Sequence, residues 1–214
     1  IAYDFMKKKD ETKIEMIQFH QAYSYEDFIQ GIRTAGDEFR VKNGVFYNFC
    51  KKAERDKVNP YVFIIDEINR GNLSKIFGEL MMLIESDKRG DQYSIPLTYS
   101  ENQGERFSVP ENVYIIGTMN TADRSLAIVD YALRRRFDFI TIYPQFNEAF
   151  KNYLINKGIG EEKVNQVMER FKELNQRIIK DKNLGKGFQI GHSYFCSNEI
   201  DPSNFDQEYR HIVE

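Results

Sequence analysis

Tyr61-Val62-Phe63-Ile64-Ile65-Asp66-Glu67-Ile68-Asn69-Arg70-Gly71 is the stretch that decides how this chain folds. An unbroken run of β-branched and aromatic residues meets two acids at once. A continuous apolar strand suits a sheet covered on both faces, which means parallel strands with helices between them. In open α/β sheets the ligand site lies at the carboxyl edge of the strands. Asp66 and Glu67 stand at that edge.

Working outward, 14–19, 113–117 and 139–142 read as further short strands. Helical patterns lie between them, at 25–32 and 45–53 before the central strand. After it, 73–85 places Leu73, Ile76, Phe77, Leu80, Leu83 and Ile84 at helical spacing. Residues 127–137 follow the third strand, with Leu126, Val129, Leu133 and Phe137 on one face. Alternating strand and helix predicts an α/β domain. Residues 93–99 and 106–109, around Ser100-Glu101-Asn102-Gln103-Gly104, read as a hairpin projecting from that core. Beyond Pro144, 161–180 puts Val164, Val167, Met168, Phe171, Leu174 and Ile178 on one helical face, and 205–214 begins another helix. The expected division is an α/β part over 1–143 and a small helical part over 144–214.

The chain has 214 residues, 41% hydrophobic and 29% charged, which is a globular composition and not a disordered one. Thirty Lys and Arg against 33 Asp and Glu leave a net charge of −3, an argument against a dedicated nucleic-acid-binding domain that still allows a local basic groove. No apolar run approaches the roughly 20 residues of a membrane helix, and no secretory signal opens the chain. Two cysteines, Cys50 and Cys196, are too few for a disulfide framework, so a reducing cytoplasm is expected. The chain opens on Ile1 and stops within a helical pattern, so it reads as a piece of a longer protein.

Chemistry concentrates in a few places. In P-loop NTPases an Asp at the end of such a strand holds Mg²⁺, and a following Glu can act as general base on water. Solvated acids at a strand end are the plain alternative, with equal weight when the pair is taken by itself. The neighbouring strand ends Gly117-Thr118-Met119-Asn120, and an amide there can orient the same water. Arg134-Arg135-Arg136 closes the following helix. Cations favour that end of a helix dipole; an arginine finger reaching a neighbouring subunit's nucleotide would accelerate hydrolysis by about 10³–10⁵. Acid pair, strand-tip Asn and arginines in this order point to a nucleotide-hydrolysing ring ATPase. His20 and His192 read as packed histidines and both cysteines as small buried hydrophobes. No His/Cys cluster has zinc spacing. Tyr23 and Tyr25 read as loop residues, with base stacking the less favoured role.

Val62-Phe-Ile-Ile-Asp-Glu-Ile-Asn-Arg70-Gly71 resembles the Walker B segment of the McrB family of AAA+ proteins. Gly117-Thr-Met-Asn-Thr-Ala-Asp-Arg-Ser125 and Ala132-Leu-Arg-Arg-Arg-Phe137 are similar to that family's sensor 1 signature and finger helix. Phe19-His-Gln-Ala-Tyr-Ser-Tyr-Glu-Asp-Phe28 and Ile190-Gly-His-Ser-Tyr-Phe195 resemble two more of its blocks. The resemblance implies an AAA+ P-loop NTPase core with a parallel sheet, helices on both faces and an inserted β-hairpin, followed by a helical lid. It implies a ring oligomer, a hexamer, using GTP or ATP with Mg²⁺. That ring would drive DNA translocation for a modification-dependent restriction endonuclease with a McrC-like nuclease subunit, and no membrane. Residue by residue, it implies Mg²⁺ on Asp66, water activation by Glu67, and sensor 1 at Asn120 supported by Asp123. Arg135 and Arg136 would act across the interface, Arg134 less so, and Arg70 would face the nucleotide or reach across too. A MoxR-like protein remodeller or a non-hydrolysing scaffold has the same core, and a metal-dependent nuclease using Asp66 and Glu67 is the reading from another class.

One departure stands out. The phosphate-cradling G-x-x-x-x-G-K-S/T loop does not occur, and Gly185-Lys186-Gly187 has no Ser or Thr after it. The resemblance places that loop upstream of Ile14. The segment by itself is therefore expected to be inactive and not to bind GTP or ATP saturably.

Overall fold

The computed structural model describes residues 2–6, 10–100, 104–120, 122, 134–196, 202–205, 207, 209 and 210. It divides into two compact units, Ile1–Phe139 and Ile140–Glu214.

The first unit is built on a three-stranded parallel sheet of β1 (Ile14–Gln18), β4 (Tyr61–Asp66) and β5 (Val113–Gly117), with β4 in the centre. Ile17 pairs with Ile65 and Gln18 with Asp66 on one side; Ile65 pairs with Gly117 on the other. All three strands therefore end at one edge. The apolar run of β4 puts Tyr61, Phe63 and Ile65 on one face, inside the main core. Val62 and Ile64 take the opposite face. There, α1 (Ala2–Met6) sets Phe5 edge-on against Tyr114, with ring centroids 4.5 Å apart.

The core under β4 is aromatic. Phe28 stacks on Phe46 at 4.8 Å and meets Phe63 and Phe77 edge-on. α3 (Val45–Glu54) brings Phe46, Tyr47, Phe49, Cys50 and Ala53 to it on one buried face. Cys50 is the expected buried hydrophobe, and burial pushes its thiol pKa up. Gly44 begins this helix because a Cβ there would lie 2.5 Å or less from the Phe28 carbonyl group.

Four local readings are corrected here. The expected helix over 25–32 stops early: α2 (Tyr25–Phe28) is followed by an antiparallel ribbon of β2 (Gln30–Ala35) and β3 (Glu38–Asn43). Ile32, which the helical pattern aimed at the core, is 50% exposed on that ribbon. Gly31 and the Gly36 turn at φ 67° favour the ribbon over a continued helix. The expected hairpin over 93–109 is a single antiparallel bridge, Ile95 to Phe107. Pro96 has no N–H to extend it, and Leu97, Phe107 and Val109 are buried in the core, not projecting from it. Residues 139–142 form no strand; Ile140 and Ile142 are exposed, and no described residue offers them a partner edge. Of the helix read over 73–85, only the buried positions hold: α4 (Leu73–Phe77) breaks at Gly78, whose φ is +51°, into a 3₁₀ segment ending at Met82, with Leu80, Leu83 and Ile84 buried. The helix read at 127–137 lies outside the described residues except from Arg134 onward.

The second unit is helical, with α5 (Glu148–Asn156) and α6 (Glu161–Lys180) around Phe146, Phe150, Leu154, Phe171, Phe195 and Phe205. Asn147 caps α5 by accepting the Phe150 N–H at 3.2 Å. On α6, Val164, Val167, Met168 and Phe171 are buried as read, but the face then turns to Asn175, 5% exposed, while Leu174 is 38% exposed. Position 175 is one helical turn beyond 171. Its amide is bonded through both ends: Oδ1 accepts the Ile190 N–H at 2.7 Å and Nδ2 donates to the Ile190 carbonyl at 3.0 Å. His192 is packed as expected, near Phe146 and Phe150, and its Nδ1 accepts the Gln145 N–H.

Candidate functional site at the carboxyl edge of the sheet

The chain leaves β4 through Asp66 and Glu67. Glu67 has φ 51° and ψ 44°, the only non-glycine residue among those described in the left-handed region. Such a backbone costs about 1–3 kcal/mol for a residue with a Cβ and persists where its surroundings over-determine it. The bend lets β4 stop at Asp66 and turns Ile68–Arg70 into a short 3₁₀ segment. Gly117 permits the close approach of that segment, since a Cβ there would lie 2.8 Å from Ile68 Cδ1.

Asp66 is held from both neighbouring strands. Gln18 Nε2, at the end of β1, donates to Asp66 Oδ2 at 3.2 Å. The Thr118 hydroxyl, just beyond β5, donates to Asp66 Oδ1. Arg70 Nε lies 3.2 Å from Glu67 Oε2 as an ion pair. No described donor is aimed along a hydrogen bond at that oxygen, which is buried. Asn69 Oδ1, two residues on, is buried without a hydrogen bond as well. Buried polar atoms are nearly always hydrogen-bonded, so two such exceptions within three residues make this turn a candidate site.

Asn120 is exposed at the end of the segment following β5. Its Oδ1 accepts the Ala122 N–H at 3.0 Å in a local turn, which leaves its Nδ2 as a donor. The structure thus brings Asp66, Glu67, Arg70 and Asn120 to the ends of two paired strands. Asp123 lies outside the described residues. The arginines divide. Arg134 and Arg135 are exposed, whereas Arg136 is only 11% exposed, with Nε donating to the Met81 carbonyl at 2.7 Å and Nη2 2.8 Å from Glu85 Oε1. Two residues escaped the sequence reading, Gln18 and the hydroxyl of Thr118. Polar residues at strand ends are common, and only the register sets these two beside Asp66. Tyr23 and Tyr25, read as loop residues, are half-buried against the core, and the Tyr25 hydroxyl donates to Glu79 Oε1 at 2.7 Å.

The donor set suits magnesium carried by a phosphate. Among the described residues no group of three His, Cys, Asp or Glu side chains could cage a metal. Mg²⁺ keeps several waters and is commonly held by one or two carboxylates together with substrate phosphates. Asp66, oriented through both oxygens, fits that role, and Glu67 is the next residue along the chain.

Residues 2–137 match the AAA domain (dynein-related subfamily), and the chain belongs to that family. Residues 166–214 match the alpha-helical lid domain of McrB. The chain is 58% identical over 211 residues to the type IV methyl-directed restriction enzyme EcoKMcrB subunit of Escherichia coli (strain K12), covering 98% of this chain and 46% of that protein. It is 27% identical over 167 residues to the type II restriction enzyme BsuMI component YdiS of Bacillus subtilis (strain 168), covering 71% of this chain and 48% of that one. The chain spans about half the length of the curated relatives it matches. It is therefore McrB-like, an AAA+ relative of restriction enzyme subunits. Among the described residues no helix is long and apolar enough to cross a membrane.

Proposed function

We propose that this chain is the hydrolytic part of a ring-forming AAA+ nucleoside-triphosphatase that drives DNA translocation for a cytoplasmic restriction nuclease. The supporting observation is the paired strand edge, where a braced Asp66 precedes a strained Glu67 whose buried Oε2 accepts no hydrogen bond, with Asn120 beyond the neighbouring strand end. The α/β unit is the motor core and the helical unit its lid. The nucleotide is GTP or ATP with Mg²⁺, and no G-x-x-x-x-G-K-S/T loop occurs in these 214 residues. Mg²⁺ held on Asp66 would neutralise phosphate charge. Glu67 takes the proton of the attacking water, Asn120 Nδ2 orients that water, and Asp123 supports Asn120.

Across the subunit interface the free-standing Arg135 is the better finger, because Arg136 already has partners within its own chain. A finger acting in trans requires head-to-tail contacts, which close into a ring. The restriction-enzyme relatives support a nuclease partner of the McrC kind.

The test is phosphate release by the protein as encoded in its host, comparing GTP with ATP, with and without its nuclease partner. Glu67→Gln should lower turnover by about 10²–10⁴, the usual worth of a general base. Arg135→Ala should lower it by about 10³ or more while nucleotide binding persists. Wild-type turnover that survives both substitutions would remove the assignment. Metal-dependent DNA cleavage by the chain without a nuclease partner, lost in Asp66→Ala, would replace it with a nuclease.

A further inference from the structure

Thr118 touches the chain before, at and after the strained residue. Its N–H donates to the Ile65 carbonyl and its own carbonyl accepts the Ile68 N–H, both at 2.9 Å. Its hydroxyl donates to Asp66 Oδ1 and accepts the Glu67 N–H at 3.4 Å. A hydroxyl carries one donor and two acceptor lone pairs, so both bonds are made at once. The β-branched side chain has few χ1 states, which keeps the oxygen where both acids need it. Gly117 and the Ile68 side chain pack together immediately below.

We infer that Thr118 is a positioning residue that sets Asp66 and Glu67 together, its hydroxyl orienting one carboxylate and pinning the backbone that aims the other. Gln18 shares only the first of these tasks, since its amide reaches Asp66 Oδ2 and no atom of Glu67 is given to it. The two residues thus separate the metal-facing acid from the water-facing acid. This rests on the hydrolytic reading above.

The two roles predict different signatures. Thr118→Val keeps the shape and removes the hydroxyl. In the protein as encoded, it should raise the Mg²⁺ concentration for half-maximal turnover by about 10-fold, the low end of what losing an outer partner of a metal ligand does. It should also lower turnover at saturating Mg²⁺ by about 10-fold, because Glu67 loses its anchor. Thr118→Ser should restore most of both values. Gln18→Leu should raise the Mg²⁺ requirement with the smaller effect on saturated turnover.

Mg²⁺-dependent binding of a fluorescent GTP or ATP analogue reads the Asp66 effect separately from catalysis, and melting curves check that each variant is folded. Wild-type values in Thr118→Val would overturn the inference, as would Ser failing as badly as Val, which would make volume and not the hydroxyl the cause. Should Thr118→Val not fold, Thr118→Ala removes the same hydroxyl and decides against Gln18→Leu: equal losses in both measures overturn the division of labour. A wild type that neither hydrolyses nor binds nucleotide with Mg²⁺ overturns the hydrolytic reading and takes this inference with it; a working wild type leaves the variants to judge Thr118 on its own.

Discussion

In the α/β unit, Glu67 Oε2 and Asn69 Oδ1 are buried without hydrogen bonds, and Glu67 carries a left-handed backbone. In the helical unit, Asn175 is buried, and its amide oxygen and nitrogen both bond Ile190. The Glu67 oxygen accepts no hydrogen bond, whereas the Asn175 amide is bonded through both its oxygen and its nitrogen. Unpaired polarity and backbone strain persist in native proteins mainly at sites of function, while saturated polarity inside a core pins one packing arrangement. The contrast is what the proposed reading of the β4 edge as a working site, and of the 175–190 contact as scaffold, requires.

Removing the saturated group should have the largest effect on stability. Asn175→Ala leaves the Ile190 N–H and carbonyl without partners, each a loss of about 1–3 kcal/mol. Hydrogen exchange of the α6 amides should speed up accordingly, and unchanged protection would break the comparison. Next comes Arg89, which shows whether the contrast is between sites or between whole units. Its guanidinium donates to the Ile84 carbonyl at 2.7 Å and the Val113 carbonyl at 2.9 Å, and desolvation holds its pKa below the ordinary value. Arg89→Met should cost about 2 kcal/mol, read from the thermal midpoint of the α/β unit. A neutral result would mean that the α/β unit tolerates unpaired polarity throughout.

Removing the strained group should act in the opposite direction. Glu67→Gly accepts the left-handed backbone without a Cβ penalty and should stabilise the fold by about 1 kcal/mol while turnover is lost. A destabilised Glu67→Gly would show that the ion pair with Arg70 outweighs the strain.

The smallest effect lies at the far end of β4. Asp56 accepts from Asn59 at 2.8 Å, lies 3.0 Å from Lys13 Nζ and accepts from the Tyr61 hydroxyl. These partners, Asn59 first, hold its carboxyl below the usual range. A depressed folded pKa stabilises above the ordinary carboxylate range, and that stability fades as pH falls through the folded value. Asp56→Asn should therefore melt slightly lower than wild type at pH 7, with the gap closing in acid. A gap that stays constant with pH would assign the effect to packing.

Much of this was legible beforehand, for physical reasons. The β4 run is continuously apolar, so its burial on both faces could be read directly, and the acids that end it had to lie at the sheet edge. Helix α6 was legible down to its first four buried residues because its 3.6-residue period is regular. Leu174 and Asn175 were not, because hydrophobicity ranks a leucine above an asparagine and cannot see a free Ile190 backbone waiting for an amide. The ribbon β2–β3 was misread because Phe28, Ile29 and Ile32 mimic a helical stripe until Gly31 meets Glu26.

Local sequence by itself determined the α/β class and the acid pair at a strand terminus, since each follows from periodicity or from adjacency along the chain. Only the tertiary structure decided that Gln18 and Thr118 grip Asp66, that Glu67 is strained with a buried oxygen that accepts no hydrogen bond, and that Arg136 is committed to Glu85 while Arg135 is exposed. Those facts depend on the register between parallel strands and on contacts dozens of residues apart, and no local pattern encodes which strand ends meet.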